Sequence, residues 1–155
     1  MNTASGPEEE RMQEDMNPGD APARLTARAN TSCFACGTDN PRGLRLIFKK
    51  GQQGEMSAEW TPDSTLEGFD GIIHGGLVST VLDESMAKAV IESGAKALTA
   101  ELRVRFRRHV VAQQALRVSG WITETNKRML RAEAALTDAN GAELAHGWAS
   151  FLVLK

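Results

Sequence analysis

The chain has 155 residues, of which 41% are hydrophobic and 25% are charged, and its formal net charge is −2. This length suits one domain with its own core, and no apolar run is long enough for a membrane-spanning helix. The sequence has no tyrosine and no long basic tract, which argues against a nucleic-acid partner.

The first 28 residues predict a disordered acidic tail. Six of the 20 acidic residues but only one of the 18 basic residues lie in residues 1–22, a composition typical of disorder. The tail has no apolar signal core and is too acidic for a mitochondrial presequence, so we expect a cytoplasmic protein. Residues 29–155 are expected to form one domain. The 14 acidic and 17 basic residues at positions 23–155 suit an anionic small molecule.

The only cysteines, Cys33 and Cys36, follow the tail in the sequence CFACG. A CxxC spacing can hold zinc or cycle between dithiol and disulfide. A zinc site needs two more ligands, and the three histidines are scattered singly along the chain. We therefore interpret the motif as a buried turn before a strand, and we predict no metal site and no cofactor.

One hairpin and one long helix are predicted next. Residues 43–48 and 55–60 read as short strands joined by a turn at residues 51–54. Residues 75–93 predict the only long helix, because apolar residues recur there at helical spacing. This apolar stripe consists of Val78, Leu82, Met86 and Ala89.

Four strands are predicted after the helix, at 97–111, 114–124, 129–137 and 143–154, and they should form a long antiparallel meander. In the first of these strands one face is apolar and the other strongly basic. The apolar face holds Leu102, Val104 and Phe106, and the other holds Glu101, Arg103, Arg105 and Arg107. The pattern predicts an α+β fold in which a curved antiparallel sheet wraps one long helix. A single helix covers a broad sheet poorly, which favours pairing between subunits.

The strongest functional signal is GIIHGGLVSTVLDE, residues 71–84. Gly75 and Gly76 at the start of the predicted helix leave backbone N–H groups open to a carbonyl oxygen, at the positive end of the helix dipole. Asp83, nine residues after His74, is a candidate base. The alternative is that Asp83 and Glu84 form a solvated helix face, and the glycine turn favours the first interpretation.

The spacing within this motif predicts a dimer. Gly76 and Asp83 are seven residues apart, about 10 Å along a helix. A base must lie about 3 Å from the atom it serves. We therefore expect the glycine turn of one chain to meet Asp83 of another, in an obligate dimer with shared active sites.

From Cys33 to Leu154 the sequence resembles the hotdog-fold thioesterases of the phenylacetate-degradation type, a family that includes the human thioesterase-superfamily-member enzymes. The resemblance rests on CFACGTDNPRGLRLIF and on HGGLVSTVLDE. It implies a hotdog fold and hydrolysis of an acyl-CoA thioester, without a cofactor, by a homodimer or a dimer of dimers. The acyl group is left open. A non-catalytic acyl-CoA-binding regulatory protein is the alternative, and a hotdog hydratase is a weaker third reading.

The resemblance also implies roles for single residues. Asp83 corresponds to the catalytic carboxylate, and Thr99 to a residue that positions water. Gly75 or Gly76 would offer a backbone amide to the thioester carbonyl, while His74 would brace the turn or assist the leaving thiolate. By strand alternation alone Thr99 falls on the arginine face, so only the resemblance selects it.

One position departs from the family pattern. Relatives often carry Asn or His six residues before the motif histidine, near the leaving group, where this chain has Gly68. The role of that residue is unassigned in this sequence: either Asp70 or a water molecule replaces the contact, or the chain belongs to a branch of the family that works without it.

Four arginines are candidates for the phosphates of coenzyme A through charge-assisted hydrogen bonds. They are Arg103, Arg105, Arg107 and Arg108. The alternative is a solvated or tetramer-forming face. Packing roles are expected for Trp60, Trp121 and Trp148.

Overall fold

The computed structural model describes residues 31–154 and consists of strands around one long helix, so the predicted tail lies outside the described residues. Its strands are β1 (Lys49–Lys50), β2 (Met56–Trp60), β3 (Glu67–Phe69), β4 (Ile72–Ile73), β5 (Ala97–Phe106), β6 (Leu116–Thr125), β7 (Met129–Asp138) and β8 (Glu143–Val153). The helix α1 (Gly75–Glu92) comes between β4 and β5. None of the helices in this part of the chain is both long enough and apolar enough to cross a membrane.

Six strands form one antiparallel sheet in the order β1-β2-β6-β7-β8-β5, and α1 packs against it. The predicted α+β architecture is confirmed. The predicted four-strand meander is wrong for β5, which pairs with β8 at the sheet edge instead of with β6. Alternation along a strand indicates which side chains face the core, but it does not identify the neighbouring strand.

The core lies between α1 and the sheet. All four residues of the predicted apolar stripe are buried: Val78, Leu82, Met86 and Ala89. The helix crosses β6 at Gly120, where an added β-carbon would lie 2.4 Å from the backbone carbonyl atoms of Ser85. Only glycine permits this close approach of helix to sheet.

Gly120→Ala is therefore expected to destabilise the fold by about 1–3 kcal/mol or more, because its methyl group overlaps a backbone that cannot move alone. Gly147→Ala on β8 is the matched control. Its methyl group would lie 3.2 Å from the terminal methyl group of Met86, which is flexible, and 3.3 Å from Cβ of Leu82. Urea denaturation followed by circular dichroism measures both. Equal losses of stability would contradict the assigned role of Gly120.

The segment that precedes β2 differs from prediction. Residues 43–48 do not form a strand, because Arg45 adopts a left-handed conformation with φ 54° that interrupts an extended run. The backbone of this segment instead bonds to the cysteine turn, with Leu44 N–H donating to Phe34 O and Leu46 N–H to Ala35 O. The hairpin turn at residues 51–54 is confirmed, although its first strand is only β1.

A second hairpin, β3–β4, leads directly into α1 and was missing from the predicted elements. Its turn contains Asp70 and Gly71, and Gly71 has φ 72°. An Asp-Gly pair followed by Ile72 and Ile73 is a strong hairpin signal, and it is the local feature from which this hairpin can be predicted.

Candidate active site

The glycine turn begins α1, and His74 caps it. His74 Nδ1 accepts a hydrogen bond from Gly76 N–H at 2.9 Å. An imidazole that accepts at Nδ1 carries its proton on Nε2, so this bond selects that tautomer. His74 thus braces the turn, one of its two expected roles, and the same bond occupies the Gly76 amide.

The Gly75 amide is the open donor of this turn. Within residues 31–154 the Gly75 N–H donates no hydrogen bond. A β-carbon at Gly75 would lie 3.3 Å from the ring of Phe106. The turn therefore presents one unpaired N–H beside an aromatic side chain, at the positive end of an 18-residue helix.

Gly68 lies against the capping histidine. An added β-carbon there would come within 3.1 Å of both Cα and Cδ2 of His74. The histidine thus occupies the space that a side chain at this position would need. Asp70 is exposed in the turn of the β3–β4 hairpin.

Asp83 and Thr99 form the second half of the site. Thr99 Oγ1 donates a hydrogen bond to Asp83 Oδ1 at 2.9 Å, and both residues are partly buried. Burial raises the pKa of Asp83 above its ordinary value of 3.8, the hydrogen bond from Thr99 opposes this rise, and the charge of Glu84 adds to it. Asp83 is therefore a partly desolvated carboxylate held in one orientation.

A β-bulge places Thr99 on the helix side of the sheet. Thr99 pairs with Phe151 but Glu101 pairs with Ser150, so Ala100 is an extra residue in β5. The extra residue reverses the alternation, and Thr99 faces α1 together with the buried Phe151. The prediction that Thr99 lies on the arginine face was wrong for this reason.

The two halves of the site lie at opposite ends of β5. Asp83 contacts Thr99 near the start of the strand, and Gly75 lies beside Phe106 at its end. Between the two ends, the apolar face of β5 is partly exposed to solvent, because Leu102 is 37% and Phe106 51% exposed. In the described sheet β5 is an edge strand with one side unpaired.

The four candidate arginines are dispersed. Arg103 and Arg105 lie on the outer face, opposite to α1, where the guanidinium of Arg103 stacks 4.6 Å from the Trp148 ring centre. Arg107 lies beyond β5 and pairs with Glu143, with 2.5 Å between Nε and Oε1. Arg108 is exposed, and no ion pair involves it in the described part of the chain. The sheet separates Arg103 and Arg105 from Asp83 of the same chain.

The outer face also carries a histidine between two carboxylates. His146 Nε2 lies 2.9 Å from Glu133 and its Nδ1 lies 3.1 Å from Glu143. Burial would raise the pKa of Glu143, but hydrogen bonds with His146 and Arg107 outweigh it and hold that pKa below its ordinary value. Of the three tryptophans, Trp60 is buried in the core, whereas Trp121 and Trp148 flank His146.

The cysteines lie beside α1, on a turn closed by a hydrogen bond from Gly37 N–H to Cys33 O. The predicted turn is confirmed, although both thiols are only partly buried and no strand follows directly. Burial and a hydrogen bond with Glu84 raise the pKa of the Cys36 thiol to about 12. The Cys36 thiol is therefore a weak nucleophile while this carboxylate lies beside it.

Comparisons with known proteins agree with this architecture. Residues 70–145 match the model of the family described as Thioesterase superfamily. No curated protein matches the sequence significantly. A solved thioesterase superfamily protein, RHA08564, is similar with TM-score 0.75 and 19% identity, over 97% of this chain and 85% of its own.

Two further solved structures are similar. PaaI from the phenylacetic acid degradation operon of E. coli has TM-score 0.68 and 15% identity, over 72% of this chain and 81% of its own. A hypothetical thioesterase from Streptococcus pneumoniae with coenzyme A has TM-score 0.66 and 16% identity, over 70% and 84%. That protein is also solved as two alanine variants, one of an aspartate and one of a threonine. The protein has the hotdog fold, and the match over residues 70–145 places this central part of the chain in the thioesterase superfamily.

Proposed function

We propose that the protein is an acyl-CoA thioesterase that hydrolyses its substrate to a free acid and coenzyme A. The observation that carries this proposal is the hydrogen-bonded pair of Asp83 and Thr99, which are 16 residues apart. The aspartate and the threonine replaced in the Streptococcus pneumoniae protein are also 16 residues apart in that chain. The superfamily match and the coenzyme A in that relative support the substrate class.

In the proposed reaction the Gly75 amide polarises the thioester carbonyl, and Asp83 removes a proton from the attacking water. The hydroxyl proton of Thr99 is already donated to Asp83, so Thr99 positions water only as an acceptor. When the tetrahedral intermediate collapses, the thiolate of coenzyme A leaves and the proton on Asp83 returns to it. Asp83 acting as a nucleophile on the carbonyl is the second route, and it also needs the ionised carboxylate.

We propose that this site forms between two subunits. A two-fold axis through the free edge of β5 would pair it with an antiparallel copy, which exchanges the two ends of the strand. The Gly75 end of one protomer would then lie beside the Asp83 end of the other. The exposed side chains of Leu102 and Phe106 would be covered in the same contact.

Arg108 is the arginine that we propose for a phosphate of coenzyme A. It is exposed and follows β5 at the end near Gly75, whereas Arg107 is paired with Glu143. Arg103 and Arg105 suit the alternative role, a contact between dimers across the outer face of the sheet.

Thiol release from a panel of short, long and aromatic acyl-CoA thioesters tests the proposed activity. We expect hydrolysis of at least one class, and the preferred class identifies the acyl group. Calorimetric titration with the same compounds provides the control for binding. Tight binding of a thioester with no release of thiol from any member would contradict the proposal and favour the non-catalytic regulatory alternative.

A further inference from the structure

The turn that carries the cysteines is rigidly placed against α1 and has no role in the proposed hydrolysis. At Gly37 a β-carbon would lie 2.4 Å from Thr31 O and 2.5 Å from Cys33 N, so the turn is tightly closed. Ala35, between the two cysteines, is buried in the core. The closed turn and the buried Ala35 hold both thiols beside α1.

We propose that Cys33, Cys36 and Glu84 bind one Zn²⁺ ion. Their two sulfur atoms and one carboxylate oxygen all lie within 4.8 Å of one another, and Cys33 Sγ is 3.9 Å from Glu84 Oε1. Tetrahedral zinc with bonds of 2.0–2.3 Å places its ligand atoms about 3.3–3.8 Å apart. The three donors therefore need to approach by about 1 Å at most, with water as the fourth ligand.

Charge and donor type favour zinc over other ions. Lys88 Nζ lies 3.6 Å from Glu84 Oε1, one helical turn along α1. Binding of Zn²⁺ would displace the proton of each thiol into solvent. The two thiolates and one carboxylate would then be balanced by the dication and this ammonium group, so the loaded site would be neutral. Lys88 would then donate a hydrogen bond to a ligand atom from outside the coordination sphere. Two sulfur ligands disfavour Mg²⁺ and Ca²⁺, which prefer oxygen.

The bound ion would join the N-terminal segment of the domain to the helix that carries Asp83. Cys33 and Glu84 are 51 residues apart in sequence, so the complete set of ligands would come together only in the native state. Binding to the native but not the unfolded chain raises the unfolding temperature. This readout does not depend on thioesterase activity, so it separates failure of the zinc site from failure of the proposed function.

The full-length chain, reduced and stripped of metal with a chelator, is titrated with Zn²⁺ and separately with Co²⁺ as a spectroscopic probe. We expect about one equivalent of either ion per chain, a thiolate-to-cobalt charge-transfer band and a higher unfolding temperature with Zn²⁺. A reduced wild-type protein that binds no stoichiometric Zn²⁺ overturns the proposal, and so does one in which zinc leaves the unfolding temperature unchanged.

Variants then identify the ligands. Cys36→Ser is expected to abolish the cobalt band, and Glu84→Gln to weaken zinc binding by at least about tenfold. Asp39→Asn, which alters a carboxylate near the turn but outside the cluster, should bind as the wild type does. If Cys36→Ser does not fold, Glu84→Gln decides, because it retains both thiols. Equal zinc affinity in Glu84→Gln and the wild type would show that the ion is held elsewhere.

Discussion

Replacement of Asp83 by asparagine is expected to lower kcat by at least about a hundredfold. The amide keeps the shape of the carboxyl group and can still accept the hydrogen bond from Thr99, but it cannot accept a proton from water. Release of coenzyme A under saturating substrate measures the effect. Glu92→Gln at the exposed end of α1 is the control and should retain activity. Turnover near the wild-type rate in Asp83→Asn would reject the assignment.

The pH dependence distinguishes a catalytic from a structural role of Asp83. Burial raises the pKa of this carboxyl, so activity should fall as the pH drops through a value above 3.8. The effect of lower pH on folding stability has the opposite sign. A carboxyl whose folded-state pKa exceeds its unfolded-state pKa contributes stability below the unfolded-state value, and this contribution is lost as pH rises through the folded-state value. Asp83→Asn should therefore unfold at the same or a higher temperature at neutral pH. Loss of activity with loss of the fold would contradict this.

The local parts of this site could be predicted from sequence. A helix at residues 75–93 was predicted, and the observed α1 is Gly75–Glu92. Helix periodicity, an N-terminal glycine turn and the spacing from His74 to Asp83 are all short-range features. They place the turn and the acid on the same α-helix, and the geometry of an α-helix is regular.

Features that depend on long-range pairing could not be predicted. The bulge at Ala100 appears only when β5 is paired with β8, and it decides which face Thr99 occupies. The contact of Cys33 with Glu84 joins residues 51 positions apart. The left-handed conformation of Arg45 has no glycine to mark it. In each of these cases the tertiary contact, and not the local pattern, determines the side chain's surroundings.

Replacement of Gly75 by proline is expected to lower kcat by about 10²–10³-fold, because it removes the one open N–H that can polarise the carbonyl. Helix α1 should persist, since proline is favoured at the first helical position and His74, with φ −58° and ψ 128°, has a conformation suited to the residue before proline. Gly75→Ala is the matched control: it adds the same β-carbon near Phe106 but keeps the amide. Equal losses in the two variants would identify a steric effect and reject the assigned role.

Combining the two inactive variants tests whether the active site is shared. If Gly75 of one subunit serves Asp83 of the other, a dimer of one Asp83→Asn chain and one Gly75→Pro chain has one intact site and one doubly defective site. Random reassociation makes half of the dimers mixed, so activity should recover to about a quarter of the wild-type value. If each active site lay within a single chain, mixing the two variants would restore no activity. Native mass spectrometry establishes that mixed dimers have formed, and mixed dimers without activity would contradict the shared site.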